Sequence, residues 1–318
     1  MAVAIIGAGM SGLTCARELA ARGITVIVFE KSRGIGGRIA SRRVGGTVVD
    51  HGTPILPEVV VRKGLQNERV EIAHPSGSLV DGVFTADTGP PGFAFVSGLT
   101  RLAKAMADGL EIRTSTRVAA LRANRLGFEI GDEQGNTHGT FDSVVISAPA
   151  PQAADLLDRS PEPEWRAAAL REVIYDPCVV VIAGMRVPEP SWFMARPGGD
   201  LVASIATESA KGRPPSGGVV PVVARLTRAA SERLLDASDE AALANVLPGL
   251  QSALGGRGEP AWAQVKRWRY SQPQSHLDFD AINPPESRVL ICGDTTGAGV
   301  AGAARSGHEA AERLLALK

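Results

Sequence analysis

The chain has 318 residues, 44% of them hydrophobic and 21% charged, with a mean hydropathy of +0.03. This composition excludes a mainly disordered protein, and about 150 residues per domain suggests two domains or one large one. Lys and Arg (34) balance Asp and Glu (34), so there is no global field to hold nucleic acid or an anionic membrane. No uncharged run reaches the roughly 18 residues of a membrane-spanning helix. Cys15, Cys178 and Cys292 are far apart and odd in number, which fits neither a disulfide framework nor a metal site. With no basic segment at the start of the sequence, a cytoplasmic location is expected.

Ala2 to Ile6 is a continuous apolar run, as a parallel strand covered on both faces requires. After a glycine turn, Leu13, Ala16, Leu19 and Ala20 recur at helical spacing over 11–22. Gly23 ends that helix, and Thr25 to Phe29 is a second buried strand, completing a βαβ unit. Residues 31–46, rich in glycine and arginine, predict a loop shaped for close approach. The stretch 53–92, with Pro54, Pro57, Pro75, Pro90 and Pro91, predicts irregular structure. A helix is expected over 99–108, strands near 110–113, 117–122 and 126–131, and a buried strand over 143–147. Longer strands are expected near 177–183, 201–206, 219–226 and 262–269. The chain then returns to its opening pattern: the buried strand 289–292, a glycine turn, and a helix over 300–317. Both ends therefore read as one nucleotide-binding domain with a second domain inserted between them.

Three elements point to a bound dinucleotide. In Gly7-x-Gly9-x-x-Gly12, the first glycine makes the tight turn and the second lets backbone approach a pyrophosphate. The third lets helix and strand pack closely. Glu30, ending the second strand, is placed to accept from an adenosine ribose. Lys31-Ser32-Arg33-Gly34-Ile35-Gly36-Gly37-Arg38 is a second glycine turn carrying two arginines, more than a dinucleotide held only at the first turn needs. Finally, Gly293-Asp294 and the turn Thr295–Gly299 precede the last helix. An aspartate there can hold a polyol hydroxyl, and the helix N-terminus favours negative charge.

On these segments the chain resembles the FAD-dependent amine oxidase superfamily, and within it the renalase-like branch. The resemblance is carried by IIGAGMSGLTCARELAARGITVIVFEKSRGIGGRIASRR, VVDHG, FDSVVISAPAPQAADLL, VKRWRYSQP and LICGDTTGAGVAGAARSG. It implies an α/β fold (α+β overall), with a Rossmann-like FAD-binding domain and an inserted, mostly antiparallel β substrate domain. The expected division is 1–52, 93–155 and 286–318 for FAD, and 53–92 and 156–285 for substrate. The implied cofactor is non-covalent FAD. Its contacts are expected from Gly7, Gly9, Met10, Ser11, Gly12, Glu30, Lys31, Arg33, Gly36, Gly37, Arg38, His51, Gly52, Val118, Ala148, Trp268, Gly293, Asp294, Val300 and Ala301.

The sequence departs from the branch where substrate would be walled in. After the DHG motif it reads Thr53-Pro54-Ile55-Leu56 in place of a Gln–aromatic–aromatic stretch, and Ala301 stands where an acidic residue is usual. Pocket candidates are His51, Tyr175, Trp192, Trp268 and Tyr270; the catalytic residues are left unassigned. Lys211 and Lys266 read as solvated side chains, with a place beside the flavin as the alternative. Cys15 and Cys292 read as inert core residues. The resemblance implies an oxidase that takes a hydride from a misreduced dihydronicotinamide isomer of NAD(P) and passes the electrons to dioxygen. The alternatives are an amine or other small-molecule oxidase or dehydrogenase, and a degenerate flavin-binding interaction protein.

Overall fold

Val3, Ala4, Ile5, Val144, Val145, Ile146, Leu290 and Ile291 are fully buried, which is why their strands are apolar without alternation. They belong to a five-stranded parallel sheet in the order Val289–Ile291, Ser143–Ile146, Ala2–Ile6, Thr25–Phe29, Glu111–Arg113. This computed structural model describes residues 1–58, 64–87, 92–256 and 259–317; Pro90 and Pro91 lie outside them.

The chain forms two compact units. The first comprises Met1–Arg38, Leu102–Tyr175 and Gln272–Lys318. On one face of its parallel sheet, Ala4, Ile6, Val144, Ile146, Val289 and Ile291 pack with Leu121, Ile130 and Phe141 of a three-stranded antiparallel sheet. Ala150, Ala153, Leu156 and Leu170, from helices Ala150–Leu157 and Glu164–Arg171, complete that core. Helices Met10–Ala21 and Gly299–Ala316 pack on each other so closely that a Cβ on Gly307 would fall 2.2 Å from Ser11 O.

The second unit comprises Ile39–Arg101 and Asp176–Ser271. Its seven-stranded sheet runs Trp262–Pro273, Tyr175–Met185, Val220–Leu226, Val202–Thr207, Met194–Pro197, Ser76–Val80, Val83–Asp87. Tyr175–Met185 pairs antiparallel with Val220–Leu226, that strand with Val202–Thr207, that with Met194–Pro197, and Ser76–Val80 with Val83–Asp87, whereas Met194–Pro197 and Ser76–Val80 run parallel. Period-two alternation sorts Val179, Val181 and Ala183 into a core with Ala230, Leu234, Ala242, Val246 and Leu250 of helices Arg228–Leu234 and Asp239–Ala253. Val180, Ile182 and Val223 point the other way, against Val44 and Val49 of the hairpin Ser41–Val44/Thr47–Asp50. That packing carries 39–52 into the second unit together with 93–101, while 156–175 and 272–285 fall in the first.

The expectation of irregular structure over 53–92 is corrected. Ser76–Val80 and Val83–Asp87 pair in register, closed by Asp81 (φ +50°) and Gly82 (φ +76°). An Asp-Gly pair with positive φ at both positions is the favoured two-residue hairpin turn, a signal that the surrounding prolines obscured.

Candidate functional site

In the first unit the glycine turn is built by close approach. Gly7 has φ +110° and donates its N–H to Phe29 O at 2.8 Å. A Cβ on Gly12 would stand 2.0 Å from Gly7 O, whereas one on Gly9 would meet nothing within 4 Å. Helix Met10–Ala21 has no side-chain cap and no acidic residue in its first turn. Gly12 N–H is used, donating to Ser147 Oγ at 3.0 Å, and that hydroxyl also bonds Ser11 Oγ at 2.6 Å. Open space over Gly9, an uncapped helix and a positive dipole end are what a pyrophosphate needs.

Glu30 is almost fully buried, with one carboxylate oxygen accepting from Ala8 N–H at 2.9 Å and the other from Ser32 N–H at 2.8 Å. Each oxygen keeps a lone pair for a ligand hydroxyl. The second glycine turn lies on the first: Gly36 N–H donates to Ala8 O at 2.8 Å, and a Cβ on Gly37 would come 3.4 Å from Gly9 Cα. Lys31 donates to Gln152 at 2.8 Å, and Arg33 is exposed. Val118 opens the strand Val118–Asn124, Ala148 is half-buried, and Val300 and Ala301 lie in the first turn of Gly299–Ala316.

Arg38 is ion-paired with Asp294, and the Tyr175 hydroxyl donates to the other Asp294 oxygen at 3.1 Å while accepting from Ala150 N–H at 3.3 Å. His276 Nδ1 bonds Asp294 O at 2.7 Å. Burial, then the Asp294 charge, pushes the Tyr175 hydroxyl up to about 12. Sequence alone offers Tyr175 as a pocket aromatic but does not show Ser147, inside the segment FDSVVISAPAPQAADLL, or His276 as partners of these groups: Ser147 meets Gly12 across 135 positions, and His276 bonds only the backbone of Asp294.

In the second unit, Thr47–Asp50 delivers His51 and Gly52. His51 stacks on Trp268 (centroids 5.6 Å apart, planes at 18°), and Trp268 Nε1–H donates to His51 O at 2.9 Å. Burial first, then the charges of Arg42 and Lys266, holds His51 down at about 4. Tyr270 is half-buried on the same strand as Trp268. Trp192 is buried in the apolar core, stacked on Phe84 with centroids 5.9 Å apart.

The solvated reading of Lys211 is overturned. Its Nζ is fully buried, 3.0 Å from Asp50 Oδ2 and 2.9 Å from Glu208 Oε1. Arg213 contacts Asp50 at 2.9 Å and pairs with Glu208 as well. Two anions and two cations thus compensate one another where single charges would be prohibitively costly. Burial opposes ionisation of Asp50, but Lys211 and Arg213, with hydrogen bonds from Ser41 and Leu99, hold its carboxyl down at about 2. Local sequence gave no sign of this tetrad, because its halves lie 161 positions apart. Cys15 and Cys292 are buried, and burial pushes both thiols up, Cys292 to about 12.

Comparison with known proteins bears on both units. The sequence pattern of the family described as flavin containing amine oxidoreductase matches residues 80–315, and that of the NAD(P)-binding Rossmann-like domain matches 5–63. A candidate protoporphyrinogen oxidase from Exiguobacterium sp. 255-15 shares the fold with a TM-score of 0.80 at 14% identity, over 100% of this chain and 99% of that one. Wild-type putrescine oxidase bound to putrescine gives 0.75 at 15% identity, over 99% of each chain. Among curated proteins, a 4,4'-diapophytoene desaturase of Staphylococcus haemolyticus is 38% identical over 68 residues. Its counterpart in Staphylococcus aureus (strain Newman) is 39% identical over 61. These matches take in 21% and 19% of this chain and only 14% and 12% of the desaturases.

Proposed function

The chain belongs to the flavin containing amine oxidoreductase family and is an FAD-dependent oxidoreductase, and from that premise we propose its reaction. It removes a hydride from a small reduced substrate, a misreduced dihydronicotinamide isomer of NAD(P), with dioxygen receiving the electrons as in the renalase-like branch. FAD, held non-covalently, supplies the two-electron acceptor. The Gly7–Gly12 turn and the helix behind it would bind the pyrophosphate, Glu30 the adenosine ribose, and Arg38 with Asp294 the chain between phosphate and ring.

The observation that carries this reading is the engagement of Tyr175. An alkylamine held for oxidation is best caged between aromatic rings. The chain has two tyrosines, and one of them, Tyr175, packs its ring against the apolar core of the first unit while its hydroxyl donates to Asp294. A flat dihydropyridine needs orientation over a ring more than a cage or a base, because aromatisation drives loss of hydride. The stacked His51 and Trp268 offer a flat aromatic surface, and an imidazole held neutral is no obstacle to such chemistry. A cytoplasmic location accords with three cysteines that are all free thiols.

The test is anaerobic stopped-flow absorbance at the oxidised flavin band, followed by an aerobic peroxide assay. The 2- and 6-dihydro isomers of NAD(P) should bleach the flavin faster than 4-dihydro NAD(P)H and faster than putrescine or benzylamine. Rapid bleaching by an amine with the isomers inert would make the protein an amine oxidase. Bleaching by none of them would remove the proposed donor.

A further inference from the structure

Among the described residues of the second unit, Arg42, Lys266 and Arg225 are half-buried cations that form no ion pair with a carboxylate. Arg42 donates from Nη1 to the neutral amide oxygen of Gln264 at 2.8 Å. Lys266 holds its Nζ 4.9 Å from the centre of the Trp268 ring. Arg225 donates from Nη2 to Gly52 O at 2.5 Å, and its Nη1 is buried with no hydrogen-bond partner. Arg42 and Lys266 are half-buried, where an uncompensated charge is already costly.

The three act on one place. Besides burial, it is the charges of Arg42, Lys266 and Arg225 that press His51 toward its neutral form. The carboxylates whose charge reaches this region, Asp50 and Glu208, are spent on Lys211 and Arg213. Lys and Arg balance Asp and Glu over the whole chain, so the local excess of positive charge is not a by-product of a basic protein. At its centre, His51 Nδ1 is also buried without a partner, and the imidazole lies flat on Trp268.

We propose that this cluster is a receptor for an anionic group, phosphate or carboxylate, borne by the substrate. Arg42 and Lys266 meet the anion. Arg225 and His51 stand behind them, adding positive field and a polar nitrogen not otherwise used, and the His51–Trp268 stack flanks the site with an aromatic face. The inference rests on the reaction proposed above and names the charge class of its substrate. The same surround repels an alkylammonium ion, since like charges brought together in a partly desolvated site are strongly unfavourable.

The experiment is isothermal titration calorimetry on the FAD-loaded protein with benzoate, inorganic pyrophosphate and benzylamine as probes. Benzoate and pyrophosphate should bind, and benzylamine, matched to benzoate in shape, should not. The tighter of the two anions distinguishes a carboxylate-bearing from a phosphate-bearing substrate. Raising the salt should weaken both, as screening of partly exposed charge requires. Arg42→Gln and Lys266→Gln should each weaken anion binding about tenfold, the low end of the range for a hydrogen bond to a charged group because both side chains are half-exposed, and Lys266→Arg should restore most of it.

Benzylamine binding as tightly as benzoate would overturn the proposal. So would anion affinity unchanged in both glutamine variants, which would mark an adventitious ion only. The comparison of benzoate with benzylamine on the unaltered protein decides even if a variant fails to fold. If the dihydro isomers leave the flavin oxidised while anion binding still depends on Lys266, the proposed reaction falls and the receptor stands. If reduction proceeds and anion binding ignores Lys266 and Arg42, the receptor falls alone.

Discussion

Arg38 and Asp294 lie 256 positions apart in sequence and form an ion pair inside one unit. The pair ties the end of the second glycine turn to the turn after the last strand of the parallel sheet. Tyr175 completes it by donating to the free Asp294 oxygen. Asp294 is 5% exposed, so its charge is compensated by specific partners rather than by water.

Glu30→Ala and Asp294→Ala should each lower FAD affinity by one to two decades. Each removes a charge-assisted hydrogen bond worth about 1.5–3 kcal/mol. Asp294→Asn, which keeps a partner for Tyr175, should lose less. The ratio of flavin to protein absorbance after long dialysis reads the effect, and FAD content unchanged in both alanine variants would contradict the assignment.

Tyr175 should resist ionisation. In Tyr270→Phe it is the only tyrosine left, so ultraviolet difference absorbance follows it alone. With its hydroxyl raised to about 12, little tyrosinate should form at pH 11 in the folded protein, whereas the denatured chain titrates near 10. The folded state therefore holds this proton more tightly. The stability it contributes is complete below about pH 10 and is lost as pH rises through about 12. A midpoint near 10 in the native protein would show that Asp294 and burial do not act on it.

Removing one member of the buried tetrad should cost far more than removing a surface pair. Lys211→Met leaves Asp50 and Glu208 sharing only Arg213, and breaking a buried ion pair this way costs about 3–5 kcal/mol. Denaturant unfolding of the FAD-loaded protein measures it. A loss under about 1 kcal/mol, the range of exposed pairs, would mean that water reaches these charges.

His51 should remain neutral in the folded protein through mildly acidic pH. Its imidazole is held at about 4, against about 6.5 when unfolded. The folded state binds this proton less readily, so the associated stability is present above about 6.5 and is lost as pH falls toward about 4. Nitrogen chemical shifts of the ring should report the neutral form at pH 5.5 in the native protein. A protonated ring at that pH would show that burial and the charges of Arg42 and Lys266 do not act on it.

Local pattern alone was enough for the nucleotide-binding half. The apolar runs at 2–6, 25–29, 143–146 and 289–291, each short and β-branched between turn signals, read as strands covered on both sides. Gly7, at φ +110°, and Gly12, whose Cβ would fall 2.0 Å from Gly7 O, specify a turn between strand and helix that other residue types would not allow. These signals are short-range, because strand period, helix period and glycine geometry are properties of a few neighbouring residues. What only the tertiary structure decided is which distant side chains meet. The strand 41–44 lies in a stretch that reads locally as a loop, and its hairpin with 47–50 joins the second unit because Val44 and Val49 find Val180, Ile182 and Val223. Lys211 reads as a surface lysine, and is buried because Asp50, 161 positions away, and Glu208 compensate it. Tyr175 reads as a pocket aromatic, and only the fold shows that its hydroxyl meets Asp294, 119 positions away. Long-range charge compensation depends on distances through space, and a sequence carries no record of those until the chain has folded.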